Sequence, residues 1–284
     1  MKPVPLEYRR VESVEEAVSA LAEGGTEAKV LAGGQSFVPM LNMRIARPAL
    51  LVDVNRVPGL DGIATANGHL RVGAMCRQRA LERSALARER CPLLASCLPF
   101  VGHVATRNRG TVGGSIAHAD AAAELPLALV ALGGSAVAES PRGRRTIPAD
   151  DLFVSYFTTA LEPDELLVET VWPAARPGEG FAFEELALRH GDYALSMAAC
   201  ALRVEGGAVA EARLVVGAIA ARPTVVDVPL AGRAVDAAAA QEAAEAARAA
   251  VSPSGHLHAS ADYLRHVTGV LAERAVLRAW EDAA

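Results

Sequence analysis

Two glycine-rich segments carry the residue types with the clearest chemical use in this sequence. The first is Ala32-Gly33-Gly34-Gln35-Ser36, and the second is Gly110-Thr111-Val112-Gly113-Gly114-Ser115. A diphosphate binds main-chain N–H donors that approach it closely, and a Cβ atom would obstruct that approach. Two such segments, far apart in sequence, could hold one elongated dinucleotide from both sides. Taken alone, each Gly-Gly pair is equally consistent with a simple turn.

Two other classes of nucleotide site are excluded by the spacing of these glycines. The GxGxxG pattern of an NAD-binding βαβ unit is absent, and neither segment fits the GxxxxGK[ST] pattern of a P-loop. The segments therefore predict neither a Rossmann dehydrogenase nor a P-loop NTPase.

Predicted strands and helices place both segments at the ends of regular elements. Ser13 and Glu16 form a capping-box pattern that predicts a helix ending near Gly24-Gly25. Short apolar runs predict buried strands at 28–32, which leads into the first segment, and at 50–54. Further strands are predicted at 70–74, 137–139, 146–147, 165–172, 194–204 and 212–220. Further helices are predicted at 77–98, with an interruption near Pro92, and at 121–132, 237–250 and 262–283. The turn Glu205-Gly206-Gly207 between two of these strands indicates a β-hairpin.

Composition limits the class of protein. Net charge is −5 with 51% hydrophobic residues, which is typical of a globular protein without a nucleic-acid surface. No apolar stretch reaches the roughly 20 residues of a membrane helix, and the N-terminus lacks a secretory pattern, so we expect a cytoplasmic protein. The cysteines Cys76, Cys91, Cys97 and Cys200 are scattered and form no zinc or iron–sulfur motif, so we expect no metal site. Two prolines and a glycine within 173–178 make the best candidate domain boundary.

The order of motifs along nearly the whole chain resembles a known family. The motifs, in order, are 30–36, Pro39, 43–44, 46–48 and 51–53; then 101–103, 107–115, 119–120 and 124–126; and finally 156–157, 165–167 and 191–194. Together they resemble the FAD-binding medium subunit of molybdenum hydroxylases, the family of carbon monoxide dehydrogenase and xanthine dehydrogenase.

The resemblance implies an α+β chain with a split FAD-binding fold. Two N-terminal α/β subdomains, at about 1–55 and 56–176, would form the FAD-binding domain at 1–176. A C-terminal domain at 177–284 would add an antiparallel sheet with helices, and FAD would lie in the cleft between the domains. The implied role is electron transfer in a hetero-oligomer. A molybdopterin-containing large subunit would hydroxylate the substrate, and a 2Fe–2S small subunit would deliver electrons to the FAD of this chain. No residue of this chain is expected to be catalytic.

The resemblance also implies which residues contact FAD. Ala32, Gly33, Gly34, Gln35 and Ser36 would wrap the diphosphate, and Thr111, Gly113, Gly114 and Ser115 would approach the diphosphate and ribityl chain. Glu124, with Asp120 as a second candidate, would bond the polar sugar region. Val101, Gly102 and Gly110 would lie near the cofactor, and Leu167 would line its adenine or ring pocket. Tyr193 would lie against the isoalloxazine ring, or else be an ordinary half-buried strand tyrosine.

One position departs from the family pattern. Relatives commonly carry a lysine that contacts the flavin ring where this chain has Glu185. A carboxylate offers no cation to a reduced, anionic ring, so either Glu185 points away or the flavin behaves differently.

Three alternatives remain open from the sequence. The chain could be a stand-alone flavin oxidase of the vanillyl-alcohol type, although no His or Cys stands out for covalent flavin attachment. It could be a cell-wall precursor reductase, which would need NADPH and a serine or a glutamate that acts as a proton donor. It could also be a scaffold subunit that has lost FAD, an option that Glu185 keeps open.

Overall fold

A small parallel sheet forms the N-terminal region of the computed structural model, which describes residues 2–283. Its elements are β1 (Glu7–Arg10), α1 (Val14–Gly24), β2 (Ala28–Leu31), α2 (Phe37–Asn42) and β3 (Leu50–Asp53). The strand order is β1-β3-β2, and both pairings are parallel. The predicted capping box is confirmed at α1, where Ser13 Oγ accepts the N–H of Glu16 at 3.1 Å. The strand β1 was not predicted because it is polar and mostly exposed, so that only its pairing with β3 defines it.

The middle region combines an antiparallel sheet with short helices. Its first elements are β4 (Ile63–Ala66), β5 (His69–Gly73), α3 (Gln78–Arg83), α4 (Ala85–Arg90), α5 (Pro92–Cys97), α6 (Val104–Arg109), α7 (Val112–His118) and α8 (Glu124–Ala131). The remaining ones are β6 (Ser135–Ser140), β7 (Gly143–Pro148), α9 (Ala149–Leu152), β8 (Phe153–Ser155), β9 (Thr158–Thr159) and β10 (Leu166–Pro173). The main sheet has the order β4-β5-β10-β6-β7, and every pairing in it is antiparallel.

The predicted helix at 77–98 is divided into three helices. The first break falls at Ser84, whose extended backbone ends α3 and whose Oγ caps α4 by accepting the N–H of Ala87 at 3.2 Å. The second falls at Cys91, directly before Pro92 at the first position of α5. The proline break was predicted, but the serine break was not, because a serine within a helical pattern gives only a weak signal.

The C-terminal region is a four-stranded antiparallel sheet with two long helices. Its elements are β11 (Glu179–Ala187), β12 (Ala194–Glu205), β13 (Ala208–Gly217), β14 (Thr224–Val226), α10 (Ala237–Ala250) and α11 (Ala261–Ala283). The strand order follows the sequence order, and the predicted hairpin connects β12 to β13. The α+β fold expected from the sequence is therefore confirmed.

The C-terminal sheet is buried on both faces. Alternate residues such as Ala198 and Val216 pack in one core with α10 and α11. Residues between them, including Met197 and Val215, belong to the core of the middle region with α5 and α8. The first half of β12 therefore packs against α8, which follows the second glycine segment. Within residues 2–283, no helix is long and apolar enough to span a membrane.

Candidate functional site

The first glycine segment presents a row of main-chain N–H groups that no other part of the described chain uses. Within residues 2–283, the N–H groups of Gly33, Gly34, Gln35 and Ser36 donate no hydrogen bond to the protein. Buried or partly buried donors of this kind are normally paired. A run of unpaired donors at the carboxyl end of a parallel strand is therefore a candidate anion site.

The carbonyl groups of the same segment are occupied on the protein side, which explains the direction of the donors. A trans peptide unit is planar, so its C=O and the following N–H point in opposite directions. The acceptors and their donors are Ala32 O from Asn55 Nδ2 at 2.8 Å, Gly33 O from Gln35 Nε2 at 3.2 Å, Gly34 O from Val38 N at 3.1 Å and Ser36 O from Met40 N at 3.3 Å. Gly34 has φ +73°, the left-handed conformation that turns the chain here.

The two glycine segments lie directly against each other. A Cβ atom on Gly33 would lie 2.4 Å from the carbonyl oxygen of Arg109 and 2.8 Å from the Cα of Gly110. A Cβ atom on Gly114 would lie 3.4 Å from the Cβ of Ala32. Residues about 80 positions apart in sequence therefore form one surface, whose close approach requires glycine.

The second glycine segment is not a loop of free donors, which corrects the expectation from the sequence. It is the start of α7, with Thr111 as the N-cap in an extended conformation. Five of its six N–H groups donate to the protein: Gly110 N to Thr106 O at 2.7 Å, Val112 N to Cys76 O at 3.0 Å, Gly113 N to Ala74 O at 2.9 Å, Gly114 N to Thr111 Oγ1 at 3.0 Å and Ser115 N to Thr111 O at 3.1 Å. Within residues 2–283, only the N–H of Thr111 in this segment donates no hydrogen bond to the protein. The reason is packing, because a Cβ on Gly113 would lie 2.4 Å from the Cβ of Ala74.

Tyr193 lies in the loop before β12 and faces both the first segment and the acidic residues. Its ring is 65% exposed. Desolvation of the phenol and the charges of Asp120 and Glu124 raise the pKa of Tyr193, while a hydrogen bond with Ser36 lowers it. Tyr193 is therefore neither a buried core residue nor an isolated surface residue.

Glu124 and Glu185 are two carboxyl groups that face each other at the junction of the middle region and the C-terminal sheet. Burial raises the pKa of Glu124 to about 7, and the neighbouring charge of Asp120 adds to this. Burial and the charge of Glu124 raise the pKa of Glu185 to about 8. Among the described residues, no hydrogen-bond partner meets Glu185 Oε2, which is fully buried.

Strand alternation settles the direction of Glu185. The neighbouring Glu184 pairs with Arg278 of α11, on one face of the sheet. Phe183 packs edge-on against Phe100 on the other face, with ring centroids 5.1 Å apart. Since successive side chains point to opposite faces, Glu185 shares the face of Phe183, toward the middle region. Its carboxyl group therefore points inward, toward Glu124.

Val101 and Gly102 border the same junction. Arg107 Nη1 donates to Val101 O at 3.1 Å and to Gly102 O at 2.9 Å, and its guanidinium is ion-paired with Glu82. Gly102 has φ +49°, and its carbonyl packs against Gly191, close in sequence to Tyr193. Leu167 is different: it is 5% exposed and lies within the core of the middle region. The structure thus brings the two segments, Tyr193 and the acidic residues close together. Several of the predicted residues are buried beneath the surface, as Leu167 is: Gly33, Val101, Gly110, Thr111, Gly113 and Glu124.

Asn55 takes part in this surface and was not predicted from the sequence. Its side chain holds the Ala32 carbonyl, and it follows β3 by two residues. The available signal was the polar pair Asp53 and Asn55 at the end of a parallel strand, next to the strand that leads into the first segment.

Comparisons with known proteins agree with this arrangement. Residues 4–175 match the family described as the FAD binding domain in molybdopterin dehydrogenase, and residues 181–279 match the CO dehydrogenase flavoprotein C-terminal domain. The chain is 41% identical over 283 residues to the 6-hydroxypseudooxynicotine dehydrogenase complex subunit alpha of Paenarthrobacter nicotinovorans, covering 98% of this chain and 96% of that one.

Solved structures show the same similarity. A chain of carbon monoxide dehydrogenase from Hydrogenophaga pseudoflava superposes with a TM-score of 0.97 at 38% identity, covering 100% of both chains. A chain of quinoline 2-oxidoreductase from Pseudomonas putida 86 superposes with a TM-score of 0.94 at 36% identity, covering 100% of this chain and 99% of that one.

Proposed function

This chain belongs to the family of FAD-binding subunits of molybdopterin dehydrogenases, and we propose that the surface formed by its two glycine segments holds the diphosphate of FAD. FAD is the cofactor of the family. The chain is the flavin subunit of a molybdenum-dependent oxidoreductase, and its role is electron transfer.

The run of unpaired N–H groups from Gly33 to Ser36 is the observation that carries the proposal. A diphosphate presents several acceptor oxygens and negative charge, and aligned main-chain donors satisfy both without rearrangement. The structure therefore fits the cofactor that the family carries. Since five of the six N–H groups of the second segment donate to the protein, we infer that this segment contributes mainly shape, the Ser115 hydroxyl and the position of α7.

The remaining predicted contacts are assigned by their position on this surface. In our proposal the diphosphate side is formed by Ala32, Gly33, Gly34, Gln35, Ser36, Gly110, Thr111, Gly113, Gly114 and Ser115. The sugar and ring side is formed by Val101, Gly102, Asp120, Glu124 and Tyr193, and Leu167 supports it from the core. Exposure of the Tyr193 ring favours a contact with the flavin over a purely structural role.

The chemistry is divided among subunits. Bound FAD supplies the redox step, so that electrons delivered by iron–sulfur clusters can leave to a terminal acceptor. We propose that the partners are a molybdopterin-containing large subunit and a 2Fe–2S small subunit, in a hetero-oligomer. This follows the similar proteins, which are named as subunits or medium chains of dehydrogenases. We also propose a cytoplasmic location, which four reduced cysteines suit.

The full chain, purified alone and with its co-expressed partners, provides the test. We expect the chain alone to take up FAD with one flavin per chain, measured by the visible spectrum, and to oxidise no substrate. Failure of the folded chain to take up added FAD would remove the proposed role. Purification without any molybdenum or iron–sulfur partner from a host that encodes them would remove the proposed complex.

A further inference from the structure

We propose that Asn55 and Arg77 form a clamp that fixes the direction of the N–H donors in the first glycine segment and the spacing between the two segments. They are positioning residues, since neither belongs to the segments themselves. The inference rests on the proposed function and adds to it the device that preorganises the diphosphate surface.

Asn55 acts on the first segment through the Ala32 carbonyl. Its Nδ2 atom donates to Ala32 O at 2.8 Å and lies 3.3 Å from Leu31 O. Because the peptide unit is planar, a fixed Ala32 carbonyl turns the N–H of Gly33 to the opposite side, where the other free donors lie. The Leu31 carbonyl is also held by the N–H of Val54 at 3.2 Å. Ala32 O has Asn55 as its only protein donor within residues 2–283.

Arg77 joins Asn55 to the second segment. Its Nη2 atom donates to Asn55 Oδ1 at 2.8 Å, and its Nη1 atom donates to the carbonyl oxygen of Arg109. That carbonyl is the atom against which Gly33 packs. One planar guanidinium therefore joins Asn55, which holds the first segment, to Arg109, which directly precedes the second.

Among the described residues, the guanidinium of Arg77 has no carboxylate partner. Within the described part of the chain, its guanidinium makes no salt bridge, and burial together with the charge of Arg109 lowers the pKa of Arg77. A half-buried arginine that bonds only neutral acceptors is a costly arrangement. Its two fixed bonds across the segments, and positive charge beside a surface for an anion, offset that cost.

The clamp is anchored on the parallel sheet by Asp53 at the end of β3. Asp53 Oδ1 accepts the N–H of Asn55 at 2.9 Å and the Asn55 side chain at 2.6 Å. Its other carboxylate oxygen accepts the hydroxyl of Tyr8 from β1. Asp53 is buried, whereas Asn55 is exposed. Removing the Asn55 side chain therefore leaves the sheet and its core in place.

Substitution of the clamp residues in the full chain tests the proposal. We expect Asn55→Ala and Arg77→Ala each to weaken FAD binding about tenfold, since each removes a fixed hydrogen bond and frees the donors to rotate. Binding is measured by titrating FAD into the FAD-free chain, and the unfolding midpoint of each variant is measured without FAD. We expect the midpoints to stay within about 3 °C of the parent.

Three comparisons separate positioning from a general effect. Arg56→Ala removes one positive charge, as Arg77→Ala does, but from the exposed residue that follows Asn55. Arg56 makes no hydrogen bond within residues 2–283, so this variant should keep the FAD affinity of the parent. Arg77→Lys keeps the charge but cannot span both acceptors, so its affinity should remain low. The double variant should lose no more affinity than the weaker single variant, because the two residues act as one unit.

Several results would overturn the clamp. They are parental affinity in Asn55→Ala, full recovery in Arg77→Lys, additive losses in the double variant, or an equal loss in Arg56→Ala. A parent chain that binds no FAD would instead refute the proposed function, so the two failures are distinguishable.

Discussion

The buried carboxyl groups of Glu124 and Glu185 should make the stability of the chain depend on pH. Glu124 and Glu185 bind their protons more tightly in the folded chain than in the unfolded one, with folded pKa values of about 7 and about 8. Their contribution to stability is complete below an unfolded pKa of about 4.3 and is lost as the pH rises through the folded values. The FAD-free chain should therefore become less stable between about pH 5 and pH 8.

Glu185→Gln tests this directly. The amide keeps the shape of the side chain but never ionises, so the free energy of unfolding at about pH 8 should exceed that of the parent by roughly 2–5 kcal/mol, with a much smaller difference at about pH 5. Urea unfolding at several pH values measures it, and Glu281→Gln, at an exposed position, is the control. Parallel curves for the parent and Glu185→Gln would show that this carboxyl group is ionised in the folded chain at all these pH values.

Gly33 is the glycine whose replacement most directly separates the two segments. An added Cβ would overlap main-chain atoms of Arg109 and Gly110, which cannot rotate away. Gly33→Ala should cost about 1–3 kcal/mol of overpacking and weaken FAD binding by roughly tenfold to a hundredfold. Gly62→Ala is the matched control, because a Cβ there meets nothing within 4 Å. Normal FAD content in Gly33→Ala would show that FAD binding does not require the close contact of Gly33 with Arg109 and Gly110. Gly114 is less informative, since its Cβ would also disturb the Thr111 cap at 2.6 Å.

The helix α7 depends on its cap in a way that the glycine pattern alone did not reveal. Thr111 Oγ1 accepts the N–H of Gly114, and its side chain is 2% exposed. Thr111→Val keeps the shape and removes the acceptor, so we expect a loss of about 1 kcal/mol in unfolding free energy. Thr111→Ser retains the hydroxyl and should behave like the parent. Thermal unfolding of both variants measures the difference, and equal midpoints for Val and Ser would mean that the cap contributes nothing.

Elements with their own sequence periodicity could be predicted, whereas elements defined by neighbours could not. The alanine-rich helix at 237–250 was predicted with the bounds that α10 has, since its buried alanines recur at helical spacing. The strand β1 and the short helix α2 were missed, because β1 is polar and α2 contains Pro39 at its third position.

In the candidate site, too, local features could be predicted and contacts made by tertiary packing could not. Both glycine segments were found, but the sequence could not show that the donors of the second are engaged by Ala74 and Cys76. These acceptors lie in the turn after β5, about 40 residues away, and only tertiary packing brings them close. Asn55 was missed for the same reason.

The arrangement of the whole chain makes the C-terminal region dependent on the middle region. The face of its sheet that carries Phe183, Met197, Ala199 and Val215 belongs to the core that contains α5 and α8. Three of these four side chains have no exposed surface, and Phe183 is 8% exposed. The predicted boundary near residue 176 divides the sequence, yet it would divide a shared hydrophobic core as well.

We therefore predict that residues 177–284, produced alone, do not form a stable monomer. Isolation would expose an apolar sheet face that α10 and α11, on the opposite face, cannot cover, and an uncovered patch of this kind favours aggregation. Size-exclusion chromatography and thermal unfolding of the fragment measure this, and co-expression with residues 1–176 should restore a soluble pair. A monomeric fragment with a cooperative transition near that of the full chain would show that the two regions fold independently. In that case the junction where Glu124 and Glu185 meet would be held by surface contacts alone.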